Sequence, residues 1–203
     1  MVAVVDYGVG NLFSLCSSLK AIGAETVVTD DPTVLAAADR IILPGVGAFG
    51  DAADKLRERG LFSVLRELAA TGKPLMGICL GMQLLFEKGF EYGEHEGLGL
   101  IKGEVRPIAE VIPTDLKIPH IGWNALHFEG EKSPIFRYLN EGDFVYFVHS
   151  FYGKNDDGSV IATSDYGASL TAAVGRGNVY GCQFHPEKSG NVGLKILKAF
   201  CEV

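Results

Sequence analysis

Three stretches carry residues whose types and spacing could do covalent chemistry. In the first, Gly77-Ile78-Cys79-Leu80-Gly81, a cysteine stands between two flanking glycines. The apolar run before it, residues 75–78, reads as a buried strand and residues 80–86 as a helix, so Cys79 falls at the join. Glycines there permit a sharp strand-to-helix turn that holds a nucleophile exposed and strained, a G-x-nucleophile-x-G elbow with cysteine in place of serine. A helix N-terminus would also favour the thiolate, the nucleophilic form. The second stretch, Gln183-Phe184-His185-Pro186-Glu187, follows a predicted strand. On extended backbone Gln183, His185 and Glu187 would share one face and Cys182 and Phe184 the other. Glu187 could then hydrogen-bond one nitrogen of His185 and orient it as an acid–base group, while Cys182, turned away, argues against a Cys182/His185 metal pair. The third stretch is Pro44-Gly45-Val46-Gly47. It is either an ordinary turn or a loop whose N–H groups face an anion, and beside a cysteine elbow it reads as the second wall of an oxyanion hole.

The surrounding pattern must bring these stretches together. Strand signals at residues 2–5, 25–29, 40–43 and 75–78 alternate with helices beginning near Asn11, a fair N-cap, near Asp51 and at 61–70. That alternation predicts an α/β fold with an open, mainly parallel sheet, helices on both faces and a site at the strands' C-terminal ends. The Gly8-Val9-Gly10 turn fails as a dinucleotide fingerprint, because Phe13 stands where a third glycine is required. After Phe86 the segments shorten and turn residues separate them, which predicts a small antiparallel extension of the sheet within one domain spanning 1–203. Strands at 160–163, 171–174 and 179–184 and a helix over 192–201, with Leu194, Leu197 and Cys201 inward, close the chain.

The chain has 203 residues and a net charge of −7. An acidic balance without a basic run excludes nucleic acid and anionic membranes as expected partners. No leader and no apolar run of membrane-spanning length is visible, so a soluble, cytoplasmic protein is expected. The four cysteines, Cys16, Cys79, Cys182 and Cys201, form no CxxC pair, which argues against disulfides and structural zinc; Cys16 and Cys201 read as small core residues. No metal or cofactor site is expected. Among the remaining histidines, His95 and His127 read as surface residues, whereas His120 and His149 are either structural or line a site.

The elbow with its continuation Met82-Gln83, the Pro44–Gly47 loop and the Phe184-His185-Pro186-Glu187 tail, in this order, resemble the class I glutamine amidotransferases over essentially the whole chain, with their flavodoxin-like fold. Asp6-Tyr7-Gly8-Val9-Gly10-Asn11, Pro119-His120-Ile121-Gly122-Trp123-Asn124 and Phe147-Val148-His149-Ser150 further resemble one branch of that family, the glutaminase subunits of imidazole glycerol phosphate synthases in histidine biosynthesis. The resemblance implies hydrolysis of glutamine to glutamate and ammonia by Cys79, His185 and Glu187, with Val46 and Leu80 lending N–H groups to the oxyanion. Gly47, Gln83 and Glu91 would hold glutamine, helped by backbone near Ser150 and Phe151; Phe151 stands where some relatives have tyrosine. It also implies a (β/α)8-barrel cyclase as heterodimeric partner, which takes up the ammonia, meets Trp123, Tyr146 and Lys188, and through the Pro44–Gly47 loop switches on a nearly idle subunit. A glutaminase of another synthase, a free-standing γ-glutamyl hydrolase and a non-catalytic flavodoxin-like module are the alternatives.

Overall fold

A computed structural model of the chain describes residues 1–155 and 157–203. The first half alternates as expected: β1 (Val2–Val5), α1 (Leu12–Ala21), β2 (Thr26–Thr29), α2 (Pro32–Ala37), β3 (Arg40–Gly45), α3 (Phe49–Glu58), α4 (Leu61–Ala70) and β4 (Leu75–Cys79). Asn11 caps α1 by accepting the Ser14 N–H, and Asp31 caps α2, unforeseen from the sequence, by accepting the Thr33 N–H with Pro32 in the first turn.

Eight strands form the main sheet, in the order β2-β1-β3-β4, then β14 (Val179–Cys182), β13 (Ser169–Arg176), β12 (Val160–Asp165) and β9 (His127–Phe128). The first five pair in parallel and the last three join antiparallel. Alternation along β1 shows how the core divides. Ala3 and Val5 pack with Leu35, Leu56 and Leu65 from α2, α3 and α4. Val2 and Val4 pack with Leu15 and Leu19 of α1 and with Ile196, Leu197 and Phe200 of α6 (Gly190–Cys201). Each face of the parallel sheet is therefore covered by helices, as its apolar strands require. In α6, Leu197 points inward as expected, but Leu194 and Cys201 are only half-buried and Ile196 and Phe200 fill the core instead. Among the described residues no helix is long and apolar enough to cross a membrane.

The helix expected over 80–86 is one turn only, α5 (Leu80–Gln83), and Phe86 already lies in β5 (Phe86–Gly89). Its carbonyls explain this. The Leu85 N–H bonds Met82 O, three residues back, and Leu84 O and Leu85 O then accept the N–H groups of Leu98, Leu100 and Ile101, so the chain leaves the helical pattern and pairs with a returning segment. That segment builds a second sheet, in the order β11 (Phe151–Lys154), β7 (Ile101–Pro107), β5 and β6 (His95–Glu96). A two-stranded antiparallel ribbon joins β8 (His120–Ala125) to β10 (Phe144–His149). Its inward face carries His120, Phe147 and His149, all buried, while Ile121, Trp123 and Phe144 are exposed.

Candidate active site

Cys79 ends β4 with φ 55° and ψ −113°, a conformation that side chains bearing a Cβ rarely hold. The flanking glycines make the bend possible by close approach. A Cβ on Gly77 would lie 2.4 Å from Gly81 O, and one on Gly81 only 1.9 Å from Leu43 O. The elbow is thus wedged against β3, whose Gly45 pairs with Cys79. With α5 a single turn, no long helix dipole bears on the sulfur, and a cation from elsewhere in the chain faces it instead.

That cation is His185. The chain leaves the sheet after Cys182, earlier than the alternation predicts, because the His185 N–H turns to Tyr146 O on β10. A 3-10 turn over Pro186–Lys188 follows. Glu187 therefore meets His185 by a tight turn rather than by sharing an extended face, and its Oε1 lies 2.7 Å from His185 Nδ1 with both side chains buried. Burial pushes the His185 imidazole down, yet hydrogen bonds and charge from Cys79 and Glu187 outweigh it and raise the ring to about 9. Cys182 sits in the core on the far side, and burial pushes its thiol up.

A cavity of about 350 Å³ opens over the sulfur, and Val46, Gly47, Leu80, Gln83, Glu91 and His185 are among the groups around it with Cys79. Ser150, Phe151 and Lys188 also border it. A larger, more open groove of about 710 Å³ beside Glu129, Tyr152 and Lys154 holds neither cysteine nor histidine. Gln83 is already engaged: its Nε2 donates to Phe151 O (3.2 Å) and Gln183 Oε1 (3.0 Å), leaving Oε1 as its remaining polar group. Gln183 Nε2 in turn points at Cys79 Sγ, 3.9 Å away. Pro44 and Gly45, expected in the loop, are the last residues of β3, so the loop is only residues 46–48; Glu91 Oε2 accepts the Phe49 N–H just beyond it, 2.8 Å away. Trp123 and Tyr146 face each other across the ribbon with ring centroids 6.0 Å apart, and Lys188 Nζ lies 5.8 Å from the Tyr146 ring. Among the described residues no His, Cys, Asp and Glu cluster could hold a metal.

The sequence model of the family "Glutamine amidotransferase class-I" matches residues 3–202. The chain belongs to the class I glutamine amidotransferases. Two similar relatives are both named "Imidazole glycerol phosphate synthase subunit HisH". The one from Aquifex aeolicus (strain VF5) is 53% identical over 199 residues, 97% of this chain and 94% of that protein. The one from Bacillus cereus (strain ATCC 14579) is 51% identical over 200 residues, 98% and 93% respectively. In the "Crystal structure of glutamine amidotransferase" the fold recurs with a TM-score of 0.76 over 100% of this chain and 98% of that one, at 22% identity.

Three further groups of this amidotransferase have no role assigned from the sequence alone. Tyr7, buried, donates its hydroxyl to Pro44 O (2.8 Å) and anchors the glycine loop from behind; burial pushes its phenol up, so it stays a donor. Gln183 reads from sequence only as a neighbour of His185. His149, open between a structural and a site role, borders the cavity and is bonded to His120. No spacing rule could have found the last contact, which rests on the pairing of β8 with β10. His127 is exposed beside Glu141, as expected, whereas His95 is half-buried over Gly50.

Proposed function

We propose that this amidotransferase is the glutaminase subunit of an imidazole glycerol phosphate synthase, working in histidine biosynthesis with a (β/α)8-barrel cyclase that consumes its ammonia. The observation that carries the reading is His185, held from behind by buried Glu187 and bordering the same cavity as an elbow cysteine. Near-full-length similarity to subunits of that synthase favours this branch over other glutaminases.

Cys79 Sγ, as thiolate beside the His185 imidazolium, adds to the side-chain amide carbon of glutamine. The resulting oxyanion takes N–H groups of Leu80 and Val46. His185 gives its proton to the nitrogen, the C–N bond breaks, ammonia leaves and a thioester remains. The neutral ring then takes a proton from water, which attacks the thioester carbon; the C–S bond breaks, glutamate departs, and sulfur and imidazolium are restored. Glu187 fixes the ring by its Nδ1 and stabilises its charge. Gly47, Gln83 Oε1, Glu91 and the backbone at Ser150 and Phe151 hold glutamine, Glu91 through the substrate's ammonium.

Free ammonia would escape into water, so a partner must cover the site. Exposed Trp123, edge-on to Tyr146, offers the aromatic surface that anchors interfaces, with Lys188 over the Tyr146 ring. The test is ammonia release from glutamine by the chain alone, and with the barrel subunit and its nucleotide ligand, in parallel with Cys79→Ala. A large rise on adding both, abolished in the variant, is expected. Full turnover without the partner would instead point to a free-standing hydrolase.

A further inference from the structure

A chain of hydrogen bonds runs from the ribbon to the pocket wall through two buried histidines that the proposed mechanism does not use. His149 Nδ1 lies 2.8 Å from Phe151 O, and its Nε2 lies 3.0 Å from His120 Nδ1. His120 Nε2 is 2.8 Å from Asn124 Oδ1, and Asn124 Nδ2 donates to Asp165 O. His120 is stacked on Tyr166 and Phe147, with ring centroids 4.0 and 5.1 Å away.

The proton positions at the pocket end follow from chemistry. A carbonyl oxygen only accepts, so His149 must carry its proton on Nδ1. Burial pushes His149 down to about 4, so the ring is neutral near pH 7 and its Nε2 is a bare acceptor. His120 then donates from Nδ1, and its Nε2 bonds Asn124 Oδ1 only when that nitrogen also carries a proton, a third one for the two rings. Either arrangement fixes the same tautomer on His149.

The consequence lies in Phe151. It stands opposite Pro107, and the bond from the Ile108 N–H to Ser150 O makes this a non-hydrogen-bonded position of the β11–β7 ladder. The N–H and C=O of Phe151 therefore both turn away from β7. Its carbonyl is covered twice, by His149 Nδ1–H and by Gln83 Nε2–H. Bare, that oxygen would be a partial negative charge beside a pocket that must take an α-carboxylate. Covered, it leaves the N–H as the polar group that this edge offers.

We propose that His149, braced by His120 and Asn124, is a positioning residue for the substrate: by capping the Phe151 carbonyl it makes the 150–151 edge a donor to the carboxylate of glutamine. This rests on the glutaminase reading, and the experiment separates the two. The full chain is assayed with the barrel subunit and its ligand. No ammonia from the parent chain would remove the glutaminase reading itself.

With the parent active, His149→Gln loses the Nδ1 donor and His149→Asn keeps one near that position. His149→Gln is expected to raise KM for glutamine about tenfold or more while kcat moves about threefold or less, since a bond to a charged group is at stake. His149→Asn should recover near-parental values. Glutaminamide, in which a neutral carboxamide replaces the α-carboxylate, should give the parent and His149→Gln the same KM. An Asn variant as impaired as the Gln variant, or an equal KM penalty with glutaminamide, would overturn the proposal. Long-range ¹H–¹⁵N spectra of the imidazoles supply a readout free of catalysis. His149 protonated on Nδ1 and bare on Nε2 supports the assignment, and the opposite tautomer refutes it even in a chain that hydrolyses nothing.

Discussion

Replacing Glu187 by Gln tests whether His185 owes its charge to its neighbour. His185 is 2% exposed, and its ring is raised from 6.5 to about 9 although burial alone would lower it. At 1.36 kcal/mol per pKa unit, the net preference for imidazolium is about 3 kcal/mol, and the combined pull of Cys79 and Glu187 exceeds that by whatever burial subtracts. Glu187→Gln keeps an oxygen to accept Nδ1–H, now 2.7 Å from Glu187 Oε1, but removes the charge. If Glu187 supplies about half the pull, His185 falls to roughly 7.5, and its cationic fraction at pH 8 drops from about nine-tenths to about a quarter. The leaving nitrogen then lacks its acid in most molecules, and ammonia release in the activated complex should fall at least about tenfold. The assay pairs an NMR titration of the His185 ring with ammonia release across pH 6–10. A ring that titrates within about 0.3 unit of the parent while activity collapses would refute the electrostatic argument and leave Glu187 a steric orienter only. Because the folded value is raised, the stability it contributes is whole below pH 6.5 and disappears as pH climbs through 9.

Cys79→Gly should be more stable than Cys79→Ala by about 1 kcal/mol in urea unfolding, since the φ of 55° strains a residue with a Cβ; both should lose labelling by glutamine-like electrophiles, and equal stabilities would show the elbow to be unstrained. His149 gives an acid limb: its folded value is lowered from 6.5 to about 4, so stability is whole above pH 6.5 and falls by about 2 kcal/mol by pH 5, a loss that denaturation of His149→Phe should not show. Gly81→Ala, whose Cβ would sit 1.9 Å from Leu43 O, should destabilise by about 3 kcal/mol or more, checked by the urea midpoint. Trp123→Ala, at a side chain 52% exposed on the ribbon, should weaken binding of the barrel subunit by about 30-fold or more in calorimetry, with electrophile labelling of Cys79 in the isolated chain unchanged.

What could be read from sequence was what short range dictates. The elbow is such a case, since strand, cysteine, glycines and turn are contiguous and each glycine answers a clash two to four residues away or on the adjacent strand. The first four strands and the N-cap of α1 are equally local. The length of α5 is a different kind of fact. Nothing in Leu84-Leu85-Phe86 opposes a helix; it stops where the Leu85 N–H turns to Met82 O and residues 98–101 draw the following carbonyls into a second sheet.

The pairing of His185 with Glu187 is legible in the sequence on an extended-strand argument that the structure does not bear out, because beyond Cys182 the backbone leaves the strand and turns as a 3-10 helix over 186–188. The residue types carried the inference where the geometry did not: a carboxylate two positions from an imidazole finds it under either backbone. His149 had no such protection. Its partner His120 is 29 positions away and is fixed only by cross-strand register, so its tautomer, and with it the polarity of the Phe151 edge, is a property of the assembled sheets. Chemistry that lies within a few residues is written in the sequence, whereas the groups that aim that chemistry at a substrate are set by which strands meet.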